Sequence, residues 1–293
     1  MLSFNKKGLI FSIILILIFI VALVWVSVYR LQDASTMTVA FLDVGQGDSI
    51  FIESPSGVQV LIDGGASNGV LRELSKVMPF YDRSINMVLA THPDTDHIGG
   101  LLSILKRYKV KYIARPGVAH DASAADSLLL EIAKEKNDGA VEMLARRGQV
   151  YDLGQGEAGR VELHILFPDR DVSNVESNLA SVVARLTYGE TSVLLTGDSS
   201  KAIENYLVSL SGVELKSDIL KLGHHGSNTS SAKSFLGYVD PQWGIISAGE
   251  NNRYGHPHQD VMDRIGQFKI IPLSTAERGT IIFKSNGREW RLQ

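Results

Sequence analysis

Residues 91–100 read THPDTDHIGG, and this stretch decides the reading of the whole chain. Within six positions it sets His92, Asp94, Asp96 and His97. The apolar run 87–90 before it predicts a buried strand, and Gly99 and Gly100 stand at the entry to an apolar helix over 98–108. A loop at the end of a strand can aim several side chains at one point. Imidazoles and carboxylates are the donors that a divalent cation takes. A lone aspartate here would pass for a helix N-cap. Two histidines and two aspartates between a strand and a glycine pair point to a metal.

Working outward, three further pieces could complete such a site. The apolar strand predicted over 193–196 runs into Gly197 and Asp198. Alone, that aspartate would read as a turn residue or a cap. The strand over 219–222 runs into Gly223-His224-His225-Gly226, and paired histidines between glycines suggest a ligand or an acid. Residues 254–258 (YGHPH) add His256 and His258. Earlier in the chain, Asp63 ends the apolar strand 59–62. Asp43 and Asp48 flank the turn Gly45-Gln46-Gly47, which is either a plain hairpin or the floor of the site. His164 sits in an alternating strand, and neither it nor His120 is given a role.

Around these pieces, short strands alternate with helices. Strands are predicted over 38–42, 49–53, 59–62, 87–90, 111–114, 141–144, 149–153, 161–167, 182–188, 193–196, 219–222, 244–247, 270–273, 280–284 and 289–292. Helices are predicted over 71–77, 98–108, 123–135, 201–210, 232–238 and 258–265. The pattern predicts an α/β (α+β) fold: two mixed sheets with helices outside. Residues 37–293 hold no repeat and no low-complexity linker, so they read as one domain.

The composition bounds the function. Of 293 residues, 44% are hydrophobic and 21% charged, which is a folded chain. It has no cysteine, which excludes a disulfide scaffold, a thiolate metal site and a cysteine nucleophile. Residues 8–28 carry no charge. At about 1.5 Å per residue they would span roughly the 30 Å hydrocarbon core of a bilayer. We read residues 1–30 as a cytoplasmic tip and an uncleaved transmembrane signal anchor, and 31–36 as a linker. Lys6 and Lys7 precede the run, while Arg30 after it is offset by Asp33, so the remainder is expected outside the cytoplasm. Residues 1–30 hold three basic residues and no acidic one. The rest carries 26 basic against 32 acidic residues, a net charge of −6. That balance offers no general attraction for a polyanion. No phosphate-cradling G-x-x-x-x-G-K-[ST] and no nucleophile-elbow G-x-S-x-G are present.

FLDVGQGDS (41–49), LIDGG (61–65), THPDTDHIGG, SNLASVVARLTYGETSVLLTGD (177–198), LKLGHHGSNTSS (220–231) and NRYGHPH (252–258) together resemble the metallo-β-lactamase superfamily. More narrowly, they are similar to the extracytoplasmic C-terminal hydrolase domain of the ComEC competence-protein family. The resemblance covers essentially all of 37–293, without that family's multi-helix channel. It implies an αββα sandwich with two divalent metal ions, zinc or manganese, at the sheet edge. It also implies His92 and Asp94 at a first metal, Asp96, His97 and His225, with His224 as the alternative to His225, at a second, and Asp198 as the bridge. The superfamily's usual motif has a histidine where this chain has Asp94. Another histidine usually stands about twenty residues before the bridging aspartate, and here Asn178 takes that position. An oxygen-rich first site shifts preference from zinc toward manganese or magnesium. Asp63 is implied to orient a ligating ring, with Asp43 and Asp48 as further supporting carboxylates.

The resemblance favours a phosphodiesterase or nuclease acting on a phosphodiester such as DNA. Metal-bound hydroxide would attack the ester. Asp96 would orient the water, and His224, His256 or His258 would serve the leaving oxygen. Two other readings stand beside it. One is a hydrolase of a small ester, lactone or thioester; the other is a non-catalytic module binding DNA or a surface polymer. Nothing in the sequence names a protein partner.

Overall fold

The computed structural model describes residues 6–33, 36–118 and 123–293; His120 and residues 34–35 of the expected linker fall outside them. Helix α1 (Lys6–Asp33) runs three residues into the segment read as linker. Its apolar side chains from Ile10 to Trp25 are exposed. Its side chains are described only at residue 8 and residues 10–25. Among the described residues no helix is long and apolar enough to cross a membrane, so the span expected over 8–28 is not found there.

The first half of the domain holds β1 (Met37–Phe41), β2 (Ile50–Glu53), β3 (Gln59–Ile62), α2 (Gly69–Val77), β4 (Ser84–Leu89), α3 (Thr95–Ile98), α4 (Leu101–Leu105), β5 (Lys109–Arg115), α5 (Ser123–Asn137) and β6 (Val141–Leu144). The second half holds β7 (Val150–Gly156), β8 (Gly159–Phe167), β9 (Val183–Tyr188), β10 (Thr191–Leu195), α6 (Lys201–Ser211), β11 (Ile219–Lys221), α7 (Lys233–Val239), β12 (Trp243–Ile246), α8 (Gln259–Gln267), β13 (Ile271–Ser274) and α9 (Thr275–Arg278). The chain then returns to the first sheet as β14 (Ile281–Ser285) and β15 (Trp290–Leu292). One sheet has the order β15-β14-β1-β2-β3-β4-β5-β6, the other β13-β12-β11-β10-β9-β8-β7.

Alternation along the strands explains the layers. Val39, Phe41, Ile52, Ile62 and Leu89 meet Leu163, Leu186, Val193 and Ile245 between the sheets. The intervening Ala40, Leu42, Phe51, Leu61 and Val88 pack against Leu74, Leu101, Ile104 and Leu128 of the helices on one outer face. Leu194, Leu220 and Ile246 do the same against Leu207, Phe235, Leu236 and Val261 on the other. Strands buried on both faces read as continuous apolar runs, which is why 87–90 carries no polar alternation. The result is an αββα sandwich.

The predicted helix 98–108 is broken into α3 and α4. The backbone of residues 64–65 lies directly on the break. Gly64 donates its N–H to His97 O at 2.6 Å, and Gly100 donates to Gly65 O at 2.9 Å. A Cβ on Gly100 would fall 1.9 Å from Gly64 O, so no other residue fits. The turn before β2 presses on the same loop: a Cβ on Gly47 would fall 1.9 Å from Asp96 O. β3, β4 and β5 are parallel, as are β10, β11 and β12. The loops leaving β3, β4, β10, β11 and β12 supply the residues of the site described next.

Candidate metal centre

Three histidines are oriented from behind. Asp63 leaves β3 in a left-handed conformation, φ 58°. Its Oδ2 accepts from His97 Nδ1 at 2.8 Å and from Thr91 Oγ1 at 2.6 Å, while Oδ1 accepts from Thr91 N–H. Because the Thr91 proton goes to Asp63, Thr91 Oγ1 accepts from His92 Nδ1 at 3.0 Å. His225 Nδ1 donates to the Ser247 carbonyl at 2.8 Å, and a carbonyl can only accept. All three rings therefore spend Nδ1 on the hydrogen bond behind them and turn Nε2 toward the centre. An Asp63→Asn variant keeps the shape but cannot accept from both sides. We expect 10–100-fold weaker metal binding, read by competition with a chelator. Unchanged affinity would mean the rings hold their tautomers without Asp63.

The Nε2 atoms converge with two carboxylates. His97 Nε2 lies 3.3 Å from His225 Nε2 and 3.3 Å from Asp198 Oδ1. His225 Nε2 lies 3.3 Å from Asp198 Oδ2 and 3.4 Å from Asp96 Oδ2. Donors on a tetrahedral cation with bonds of about 2.0–2.2 Å stand roughly 3.3–3.6 Å apart, so His97, His225 and Asp198 stand at the spacing of donors on one cation, with Asp96 beside His225 as a fourth candidate. A second, wider group adjoins it. His92 Nε2 is buried with no hydrogen-bond partner, 3.7 Å from Asp94 Oδ2 and 3.9 Å from Asp198 Oδ2. Asp198 is thus common to both groups.

The field of the cluster favours cations. Burial works against charge on His97, but Asp198 and Asp63 outweigh it and raise its pKa well above the usual range. Burial opposes charge on His225 too, yet Asp198 and Asp48 push it up to about 10. Asp198 resists burial through the His225 and His97 rings and is held well below the carboxylate range. His92 is driven well below 6.5 by burial and by His97.

The remaining candidates divide. Ligand-type atoms of Asp48, His97, Asp198 and His225 all lie within 4.8 Å of one another. Asp48, however, meets the Nδ1 edges, 3.2 Å from His225 and 4.0 Å from His97, so it stands behind the rings. Asp43 spends its carboxylate on its own turn, accepting from Gly45 N–H, and among the described contacts it touches no ring of the cluster. Asn178 Oδ1 is buried without a partner, while the neighbouring Ser177 hydroxyl donates to Asp94 Oδ1 at 2.6 Å. His224 Nδ1 lies 3.0 Å from Thr229 Oγ1, and its Nε2 is 3.7 Å from Asp198 Oδ2. The His256 ring lies 5.6 Å from His224 and 6.2 Å from His225. Burial and those two rings push it down to about 4. His258 Nδ1 accepts from Asn228 N–H at 2.9 Å and ties the turn after His225 to α8.

One residue escaped the sequence reading. Lys221, in β11, is fully buried. It forms an ion pair with Asp48, donates to Gly197 O at 3.3 Å and lies 3.9 Å from Asp198 Oδ1. A lysine interrupting the apolar run 219–222 was the available signal.

The sandwich and the converging donors define a protein of metal-binding αββα type. Residues 42–250 match the metallo-beta-lactamase superfamily, and the chain belongs to it. It is 33% identical to ComE operon protein 3 of Bacillus subtilis over 267 residues, 85% of this chain and 33% of that protein. It is 31% identical to Recombination protein 2 of Haemophilus influenzae, across 86% of this chain and 29% of that protein. The chain thus spans about a third of the length of these relatives. Its fold is similar to CmlA, a diiron beta-hydroxylase from Streptomyces venezuelae (TM-score 0.52, 16% identity, 80% of this chain and 52% of that one). It is also similar to Igni18, a metallo hydrolase from Ignicoccus hospitalis (TM-score 0.52, 17% identity, 84% and 98%).

Proposed function

We propose that the chain is a membrane-anchored, metal-dependent phosphodiesterase of ComEC-like type, with DNA as the favoured substrate. The observation that carries the metal reading is the convergence of His97, His225 and Asp198 at the spacing of donors on one cation, with Asp96 beside His225. The name of one relative, Recombination protein 2, supports nucleic acid as the substrate class. Asp96, His97, Asp198 and His225 would hold one cation, and His92, Asp94 and Asp198, with Asn178 as a further candidate, a second. Bound divalent cations supply Lewis acidity and a nucleophile at neutral pH.

The chain's own groups do the rest. Asp96, 31% exposed at its side chain, orients the attacking water. His224, 28% exposed, hydrogen-bonds the leaving oxygen and passes it a proton. His256 and His258 line the same side. A DNA zymogram with manganese, beside assays on bis-p-nitrophenyl phosphate and a lactone, tests the reading. We expect cleavage of both phosphodiesters. Turnover of the lactone alone would replace it with the small-ester reading, which the net charge of −6 favours.

The anchor is part of the proposal. It rests on the uncharged run 8–28 and on the continuous helix α1. Lys6 and Lys7 support an extracytoplasmic domain. The full chain should sediment with membranes and resist a salt wash, because a span of this length inserts more firmly than surface charge attracts. Recovery of the full chain, N-terminus intact, in the soluble fraction would remove the anchor.

A further inference from the structure

The loop between β12 and α8 carries a ladder of planar groups from the surface to the metal centre. His256 is its inner rung, 6.2 Å from the His225 ring. The Tyr254 ring stacks on His256 at 5.6 Å and 20°. The Arg253 guanidinium lies 5.0 Å from the Tyr254 centroid and donates to the Tyr254 hydroxyl at 2.8 Å. Tyr254 remains 48% exposed. Among the described residues no carboxylate pairs with Arg253.

The loop is built to present these side chains. Asn252 Nδ2 donates to Gly249 O at 2.9 Å and to His256 O at 2.7 Å, and its Oδ1 accepts from His256 N–H at 2.9 Å. Three bonds from one side chain close the loop without using Arg253 or Tyr254. Tyr254 and Arg253 thus form the outer end of the ladder, with no carboxylate among the described residues on the guanidinium.

We propose that Tyr254 and Arg253 form a base-stacking subsite for one nucleotide of a single-stranded nucleic acid, next to the phosphodiester that enters the centre. The inference rests on the phosphodiesterase reading and deepens it. A base offers a π-face of any sequence, and it would add to the ladder as its outer rung, on the guanidinium plane that lies over Tyr254. The guanidinium edge is then free for the adjoining phosphate. A paired, stacked base in a duplex cannot reach the platform, so the subsite selects single strands. This local recognition also answers the net charge of −6, because stacking does not depend on long-range attraction.

The test uses the full chain in detergent, with calcium in place of manganese, and fluorescence anisotropy. The probes are a fluorescein-labelled dT 12-mer, the same strand in a duplex, and a 12-mer phosphodiester chain of abasic residues. We expect the dT strand to bind about 5- to 150-fold more tightly than the abasic chain, and more tightly than the duplex. Tyr254→Ala should erase the preference for bases, and Tyr254→Trp should keep it. Equal affinity for dT and abasic chains in the wild type, or a preference that survives Tyr254→Ala, overturns the subsite. Cleavage of both strands in manganese without base preference would leave the phosphodiesterase reading standing and remove this one. Base-dependent binding without cleavage in any divalent metal would do the reverse.

Discussion

Asp198→Ala is expected to empty both halves of the centre and lower hydrolysis by about 10³-fold or more, beyond the 10–100-fold typical of losing an orienting partner. The carboxylate is buried and faces four rings at once. Oδ1 lies 3.3 Å from His97, and Oδ2 lies 3.3 Å from His225, 3.7 Å from His224 and 3.9 Å from His92. Without it, His97 and His225 keep their nitrogens 3.3 Å apart with no anion between them. Asp198→Asn keeps the volume and separates loss of charge from loss of fold, which circular dichroism will follow. Elemental analysis showing wild-type metal content in both variants would withdraw the bridging assignment.

The second large effect separates two neighbours. His225→Ala should lower metal content and activity together, because its Nε2 lies among Asp96, His97 and Asp198. His224→Ala should keep the metal and lower turnover roughly 10²–10⁴-fold, the range of a lost acid or base. The reason for this division differs from the one the sequence suggests. Adjacent residues of an extended chain point in opposite directions. Here both residues are left-handed, φ 48° and 55°, in a tight turn. Their rings sit 6.0 Å apart at 71°, and both reach Asp198 Oδ2, the buried His225 at 3.3 Å and the part-exposed His224 at 3.7 Å. A His224→Ala protein without metal, beside a His225→Ala protein that retains it, would reverse the two roles.

The sandwich was legible because its strands are short, apolar and bounded by glycine. The donors were legible because four of them share six residues, and because Asp198 and the histidine pair each follow a strand at a glycine. Pairings across the chain were not legible. Lys221 meets Asp48 from 173 positions away, and an apolar strand hides a lysine from any periodic pattern. The break between α3 and α4 was missed because apolar spacing continues through it; only the closeness of the Gly64 backbone interrupts the helix. Arg253 and Tyr254 lie within the NRYGHPH stretch, but there the sequence reading gives chemistry only to the histidines.

The loop of residues 91–100 is anchored by main chain, through Gly64, Gly65 and Gly100, as well as by the Asp63 carboxylate on Thr91 and His97. Gly64 and Gly100 are locked together by this approach: neither can take a side chain unless the other backbone moves, so the segments that carry Asp63 and His97 should be inherited as one unit.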